Sequence, residues 1–349
     1  LPAPELSRCL ISPGEGITGG SKLIRCLMAA LEKKGVAIHY NTKAVSLVKD
    51  ECFNVEGVSC ITPEGRKDYL ARGGVILTTG GYGANEAMVD KYIGPWASRL
   101  IVRGSPWITG ENILMAEEVQ ALLVNMDQFY AGPITPTGHC NPSPLMHAGY
   151  GIQVNTKGKR FVPETWLQVP KAKAIAERTE DNRSFMLIGA DADKNAQILT
   201  NTIKRFARLG FEVIKADTIE EAAKKAGVPE KNLVETVREF NAAVKAGKAK
   251  ELDPPYDYDE PHALETGPFY MIPAAGGMAS TFGGPKINKD AQVVNFERRP
   301  IPGLYAAGAA AGGVWVYDDI GGNQLGGGMV FGRVAARHAA GRAASRKNA

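Results

Sequence analysis

The chain has 349 residues, 44% of them hydrophobic and 22% charged, enough to bury a substantial core and to divide into two domains. Its formal charge of +4 is spread along the sequence, which permits an anionic ligand but makes no nucleic-acid footprint. Five cysteines without a CxxC pair argue against a disulfide framework, and no run of about 18 apolar residues predicts a membrane span. No signal-peptide pattern opens the chain, so a cytoplasmic protein is expected. Leu1 stands first rather than Met, as in a processed or truncated chain.

Gly19-Gly20-Ser21 precedes a helix whose apolar residues Leu23, Ile24, Leu27, Met28 and Leu31 recur at helical spacing, and Gly35 sits where a C′ glycine would end it. From Val36 to Thr78 the pattern is strand-like, as VAIHY, AVSLV, VEGVSCIT, DYLA and GVILTT. Gly80-Gly81-Tyr82-Gly83 leads into a helix starting near Asn85. A second helix is predicted from Thr109, its N-cap, to Leu122, with Ile113, Ala116 and Val119 on its apolar face. The Pro-, Thr- and Gly-rich stretch from Tyr130 to Pro144 marks a domain boundary. Beyond it helices dominate: Ala192–Leu209, Ile219–Ala226 and Glu230–Ala246, the last with Leu233, Val237, Phe240 and Val244 on one face. A proline-rich return, Asp253 to Pro268, runs through Phe269-Tyr270-Met271 to a glycine-rich end. The pattern is an interrupted α/β domain with a mostly helical insertion.

The stretch from Ile301 to Ala339 joins an apolar strand, Leu304–Ala307, to a small-residue segment, Gly308–Gly313. An aromatic and acidic patch (Trp315, Tyr317, Asp318, Asp319) and a Gly321-Gly322-Asn323 turn follow, leading into a helix. A strand, a glycine turn and a helix N-terminus bring N–H groups and a positive dipole end to one point, which suits an anion or a ring that becomes anionic on reduction. A glycine-rich core crossing explains the same spacing. Asp318 and Asp319 are open to two roles as well, complement to the helix dipole or proton acceptor beside such a ring.

Other chemistries find less support. Gly81-Tyr82-Gly83 follows a strand, but the third glycine of G-x-G-x-x-G is Glu86, whose carboxylate would face a pyrophosphate. His139, Cys140 and His147 lack a fourth ligand at regular spacing, so no metal site is expected. No G-x-S-x-G elbow is present. Asn155-x-x-Gly158-Lys159-Arg160-Phe161 reads as a hairpin turn with a basic side.

Six collinear stretches together resemble the FAD-dependent flavoproteins of fumarate reductase and succinate dehydrogenase type, a family that includes ketosteroid dehydrogenases. GGSKLIRCLMAALEKKGVAIHYNTKAVSLV is similar to its helix–strand segment, and GGVILTTGGYGANEAMVDKYIG to its strand and Thr-Gly-Gly turn. TGENILMAEEVQALLVNMD resembles the Thr-Gly-Asp-Gly helix, and GIQVNTKGKRFVPE the Asn-x-x-Gly-x-Arg-Phe-x-x-Glu hairpin of the capping domain. AGVPEKNLVETVREFNAAVKAG resembles the cap's final helix, and PIPGLYAAG through GGNQLGGGMVFGR the flavin-binding C-terminus.

The resemblance implies an α/β (α+β) fold: an FAD-binding domain of glutathione-reductase-like type, interrupted by a mostly helical capping domain. Residues 1–130 and 271–349 would form the first and 131–270 the second. It implies FAD lying along Thr79, Gly80, Gly81, Thr109 and Gly110. Gly308 and Ala309 would approach its ribityl and phosphates, and Gly322, Asn323, Gln324 and Leu325 its pyrimidine end. Substrate would be held between flavin domain and cap, with hydride passing between a substrate carbon and flavin N5.

The departures from the family narrow the substrate. The N-terminal βαβ unit with its ADP-binding loop is absent, so a complementary chain or a lost segment would have to supply it. Glu111-Asn112 replaces Asp-Gly, and Ala309 replaces a Glu that contacts the cofactor. Asp319 stands where fumarate reductases carry a carboxylate-binding Arg, and Ala279-Ser280 stand where their His would precede Thr281-Phe282-Gly283-Gly284. An acid in that place repels a dicarboxylate. The expected protein is therefore an FAD-dependent oxidoreductase acting at a carbon–carbon bond next to a carbonyl-type group on a small molecule other than a simple dicarboxylate. Tyr317 and Tyr150 would handle protons and Asp319 would orient the substrate. Lys194 falls near the family's proton-donating Arg. A ketosteroid-type dehydrogenase is one alternative. A degenerate subunit that binds no FAD alone is another, and an electron-transfer partner is possible for the active forms.

Overall fold

A computed structural model describes residues 19–137, 151–190, 201, 203–204, 206–207, 210–316 and 323–346. In chain order the first elements are helix α1 (Gly19–Lys33) and strands β1 (Lys43–Lys49), β2 (Val55–Thr62), β3 (Gly65–Leu70) and β4 (Val75–Leu77). Helix α2 (Glu86–Tyr92), β5 (Ile101–Val102), helix α3 (Glu111–Glu117), β6 (Leu123–Val124), β7 (Phe129–Ile134) and β8 (Gly151–Asn155) follow. Then come helix α4 (Gln168–Arg178), β9 (Ser184–Ile188), β10 (Ile214–Ala216), and helices α5 (Ile219–Ala226) and α6 (Glu230–Lys245). The chain closes with β11 (Phe269–Thr281), β12 (Gly284–Pro285), β13 (Gln292–Val294), β14 (Pro300–Ala306) and helix α7 (Asn323–Ser345). These elements divide into two compact units, Leu1–Gly80 with Glu111–Asn125 and Gly283–Ala349, and Gly81–Gly110 with Met126–Phe282.

In the first unit, β1, β2 and β3 form an antiparallel meander, and β14 lies between β13 and β4 in a second sheet. β14 runs parallel to β4, with Leu304 opposite Val75 and Ala306 opposite Leu77. Leu47, Val55, Leu77, Met115, Val119, Val293, Ile301 and Leu304 pack into one buried cluster, the main apolar support of this unit. Helix α3 is shorter than the predicted Thr109–Leu122, although Ile113, Ala116 and Val119 are all buried as its periodicity requires. It stops because the next residues are drawn into sheet pairing: Ala121 bridges Asn295 and the Leu122 N–H donates to Val294 O at 2.9 Å. Gln120 takes a positive φ of 56° at the break. Gly35 ends α1 as expected, with φ 66°. VAIHY forms no strand, and Val36, Ile38 and Tyr40 are exposed, because no described strand offers it a partner.

The second unit is organised on β11. It pairs antiparallel with β10, β9 and β7 and parallel with β5, joining a six-stranded sheet. A sheet thus accompanies the helices expected between residues 131 and 270. Helices α5 and α6 fall where the sequence places them, and β8 (Gly151–Asn155), β9 and β10 alternate with the helices along the chain. Thr218 caps α5, its side chain accepting from the Glu221 N–H at 3.1 Å, and Gly227 closes it at φ 68°. Leu233, Val237 and Phe240 of α6 are buried against Ile152, Val154, Phe185 and Leu187 of β8 and β9, and Val244 is partly buried there. The expected turn at Asn155–Gly158 is present, with the Gly158 N–H donating to Asn155 O at 3.0 Å. The predicted helix Ala192–Leu209 lies largely outside the described residues, and no described helix is long and apolar enough to cross a membrane.

Candidate functional site

The first unit assembles one group of the expected cofactor residues at the carboxyl ends of β4 and β14. The two strands end side by side, and the Ala307 N–H donates to Leu77 O at 3.1 Å. After β4 the chain exposes Thr79 and turns at Gly80, with φ 81°. After β14 it turns at Gly308, with φ 67°, into a short 3-10 turn, Gly308–Ala310, on which Ala309 is half-buried. Helix α7 packs on this turn and on both strands. A Cβ at Gly308 would stand 3.8 Å from Gly328 Cα, so the turn and the helix lie close together here, and the φ of 67° is what favours glycine at 308. Thr79, Gly80, Gly308, Ala309, Asn323, Gln324 and Leu325 therefore all belong to this unit, at the strand ends and the start of α7.

The donor set there suits an anionic ring edge. The first four N–H groups of a helix lack partners within it and carry its positive dipole end, and α7 starts at Asn323. A Cβ at Gly326 would meet nothing within 4 Å, so the first turn is open. Asn112 braces the turn from α3: its Nδ2 donates to Ala310 O at 3.0 Å and it is fully buried. This residue, a departure from the family's glycine, thereby gains a structural role that the sequence alone did not disclose. These features fit a flavin whose ring system gains negative charge on reduction.

The second unit holds Gly81, Thr109 and Gly110 in a different way. A methyl at Gly81 would overlap Thr281 Oγ1, which accepts the Tyr82 N–H at 3.0 Å. The Tyr82 hydroxyl donates to Met126 O. At Gly110 a methyl would overlap Met88 Sδ and approach Tyr82 Cβ to 2.9 Å. Asn85 caps α2 through the Met88 N–H at 3.1 Å and donates to Thr109 O at 3.0 Å. Internal packing thus accounts for glycine at 81 and 110. Gly322, Tyr150, Tyr317 and Asp319 lie outside the described residues, as do Asp318, His139, Cys140, His147 and Lys194.

A second polar centre escaped the sequence reading. Arg160 and Glu164, 6% and 3% exposed, form a two-pronged ion pair, Nε to Oε1 at 2.9 Å and Nη2 to Oε2 at 2.7 Å. Glu164 Oε1 also accepts the Gln153 N–H at 3.0 Å, and Arg160 Nη1 donates to Pro254 O at 2.8 Å. The i,i+4 spacing within the hairpin motif was a usable signal for the pair. Nothing local pointed to Lys171, 1% exposed, whose Nζ donates to Glu164 O at 2.7 Å.

Burial pulls the Lys171 ammonium from its ordinary 10.5 down to about 8, with the Glu164 charge opposing the shift. The unfolded chain keeps this proton to higher pH than the folded one. The cost of burying the charge is therefore fully present below pH 8 and is relieved as pH rises toward 10.5. Stability is expected to rise from pH 8 to about 10, by up to roughly 3 kcal/mol. Above that range Tyr256 and Tyr258 reverse the trend, because burial holds their phenols above the usual value of 10 and the unfolded tyrosines ionise first. Urea midpoints measured across this range check the rise, and Lys171→Met should flatten it.

The sequence profile described as FAD binding domain matches residues 6–325. Urocanate reductase of Eggerthella lenta is 31% identical over 354 residues, covering 94% of this chain and 57% of that protein. A 3-oxosteroid 1-dehydrogenase of Mycobacterium tuberculosis is 29% identical over 368 residues, covering 95% and 65%. Among solved structures, the open conformation of a flavocytochrome c3 fumarate reductase superposes with a TM-score of 0.80 at 29% identity, covering 95% of this chain and 57% of that one. The mixed helix-and-sheet architecture therefore resembles the fumarate reductase flavoprotein fold, and FAD is the cofactor these matches indicate. The chain spans less than two thirds of each of these proteins.

Proposed function

Because the chain belongs to the FAD binding domain family, we propose that it serves as an FAD-dependent oxidoreductase at a carbon–carbon bond next to a carbonyl-type group. The observation that carries the proposal is the meeting of the Gly308 turn with the start of α7 at the ends of β4 and β14. In this reading the first unit is the flavin domain, of glutathione-reductase-like type, and the second is the inserted cap. Thr79, Gly80, Gly308 and Ala309 give close backbone approach to the cofactor. Asn323, Gln324 and Leu325, with Gly322 before them, present N–H groups to its pyrimidine end. Gly81, Thr109 and Gly110 would lie along FAD, with internal packing occupying the space beside the two glycines. Bound FAD supplies hydride exchange with the substrate carbon. Tyr317 and Tyr150 would hold or move the accompanying proton at their hydroxyls. Asp319 would orient a polar group and repel a second carboxylate, which argues against a simple dicarboxylate. The exposed thiols of Cys26 and Cys52 accord with a cytoplasmic setting.

A further polypeptide segment is part of this proposal. Ile24, Leu27 and Leu31 of α1 and Leu325, Met329 and Val330 of α7 are exposed on the first unit, apolar side chains of the kind a complementary ADP-binding segment would cover. A ketosteroid-type substrate is the second choice, favoured by the 3-oxosteroid 1-dehydrogenase match along 95% of the chain. To test the activity, the flavin-loaded, photoreduced chain is mixed with enones, monocarboxylate enoates and dicarboxylates. Reoxidation by at least one member other than a dicarboxylate is expected. Rapid reoxidation by fumarate alone would overturn the charge argument.

A further inference from the structure

Asn112 carries more polar chemistry than its place in the fold requires. It stands second in α3, fully buried, and its Nδ2 donates to Ala310 O at 3.0 Å. That bond fixes which amide atom is which, because an oxygen in the same place would face the Ala310 carbonyl with no proton between them. The amide oxygen, Oδ1, is buried too and has no hydrogen-bond partner. A brace for the turn needs only a donor, so an acceptor sealed beside it is a net cost to the fold. Both residues belong to the first unit, and the shared amide places the orphaned oxygen at the Gly308–Ala310 turn that follows β14. The turn itself, Gly308-Ala309-Ala310, has no polar side chain. Glu111, the residue before Asn112, is drawn into an ion pair with Lys43 at 3.4 Å. A Cβ at Gly308 would meet a single atom within 4 Å, Gly328 Cα at 3.8 Å, so the turn is uncrowded on that side.

We propose that Asn112 is a cofactor-binding residue, its Oδ1 accepting a hydroxyl of the FAD ribityl chain while its Nδ2 holds the Gly308–Ala310 turn. The inference rests on the flavin-dependent function above, in which Gly308 and Ala309 give close backbone approach to the cofactor. The ribityl chain carries neutral hydroxyl donors, whereas the pyrophosphate offers acceptors alone and would repel Oδ1. A neutral amide oxygen takes a hydroxyl proton without burying a charge, which suits a position closed to water. Because Oδ1 lies beneath the surface, the hydroxyl reaches it only as the turn gives way, and Gly308 has no side chain to stiffen that turn. The two hydrogen bonds on one amide then tie the cofactor to the end of β14.

The test is titration of the full chain with FAD and with its 2′-, 3′- and 4′-deoxyribityl forms, read by flavin fluorescence and the visible spectrum rather than by turnover. Asn112→Ala is expected to weaken FAD about tenfold. One deoxyribityl form is expected to bind the wild type about tenfold more weakly than FAD and to be indifferent to Asn112→Ala. The other two should lose affinity on that substitution as FAD does. Equal losses for FAD and all three analogues in Asn112→Ala would show that the amide only braces the turn, and would overturn the proposal. Unchanged FAD affinity in the variant overturns it as well. Thermal melts without flavin establish that the variant folds. Should it not, the wild type decides alone, and three analogues that bind as tightly as FAD overturn the proposal. A wild-type chain that takes up no flavin in any form defeats the proposed activity and this contact together. Uptake by the wild type with an indifferent Asn112→Ala defeats the contact alone.

Discussion

Arg160→Met is expected to destabilise the protein by about 3–5 kcal/mol, the usual cost of stranding one charge of a buried ion pair. Glu164 is 3% exposed, and its carboxylate is held by both nitrogens of the Arg160 fork. The guanidinium also lies over the rings of Phe240 and Tyr256, 5.7 and 5.6 Å from their centroids, and donates to Pro254 O. Removing it leaves a carboxylate with the Gln153 N–H as its described backbone donor, far less than its desolvation requires. The double replacement Arg160→Met with Glu164→Leu should recover part of the loss, because it leaves neither charge of the pair stranded, although the buried Lys171 ammonium loses the Glu164 charge beside it. Urea unfolding of wild type, single and double variants checks both statements. A single variant within about 1 kcal/mol of wild type would show that the pair is solvated in solution.

Gly303→Ala is the second large effect, at about 2–5 kcal/mol. Its φ is 83°, a backbone region that alanine adopts only under strain, and the added methyl would overlap Val55 O and lie 2.8 Å from Arg342 Nη1. A Cβ at Gly74 would in turn overlap Gly303 O, so the two glycines let β4 and β14 begin side by side. Those strands deliver Thr79 and Gly308 to their common end, so the variant should also hold flavin more weakly. Gly332→Ala serves as the control. It lies inside α7 with nothing within 4 Å of the new methyl, and should stabilise by about 0.5–1 kcal/mol. Thermal melts of the two variants are expected to move in opposite directions.

Local chemistry made much of this architecture legible. Helix α5 matches its predicted span of Ile219–Ala226, and α6 ends one residue before the predicted Ala246, because caps and 3.6-residue periodicity act within a few turns. The glycine turn at 308 was legible for the same reason, as a break between an apolar strand and small residues. Sheet order was not. β11 pairs at Gly277 with both Ile101 and Gly132, partners far away in sequence, and no local pattern announces such pairing. VAIHY has the composition of a strand and stays unpaired among the described residues, which shows that strand propensity needs a neighbour to act on. Lys171 was invisible for a related reason. Only the fold sets an otherwise ordinary helix lysine over Glu164 O. The substitutions from the family pattern were the opposite case: Asn112 was plain in sequence, but its brace to Ala310 required coordinates.

Flavin uptake tests the central claim most directly. The purified chain is mixed with excess FAD, passed through a gel-filtration column, and its visible spectrum recorded. Flavin absorption co-eluting with the protein, perturbed from that of free FAD and weakened in Gly303→Ala, is the expected result. A colourless protein that retains no flavin would contradict it.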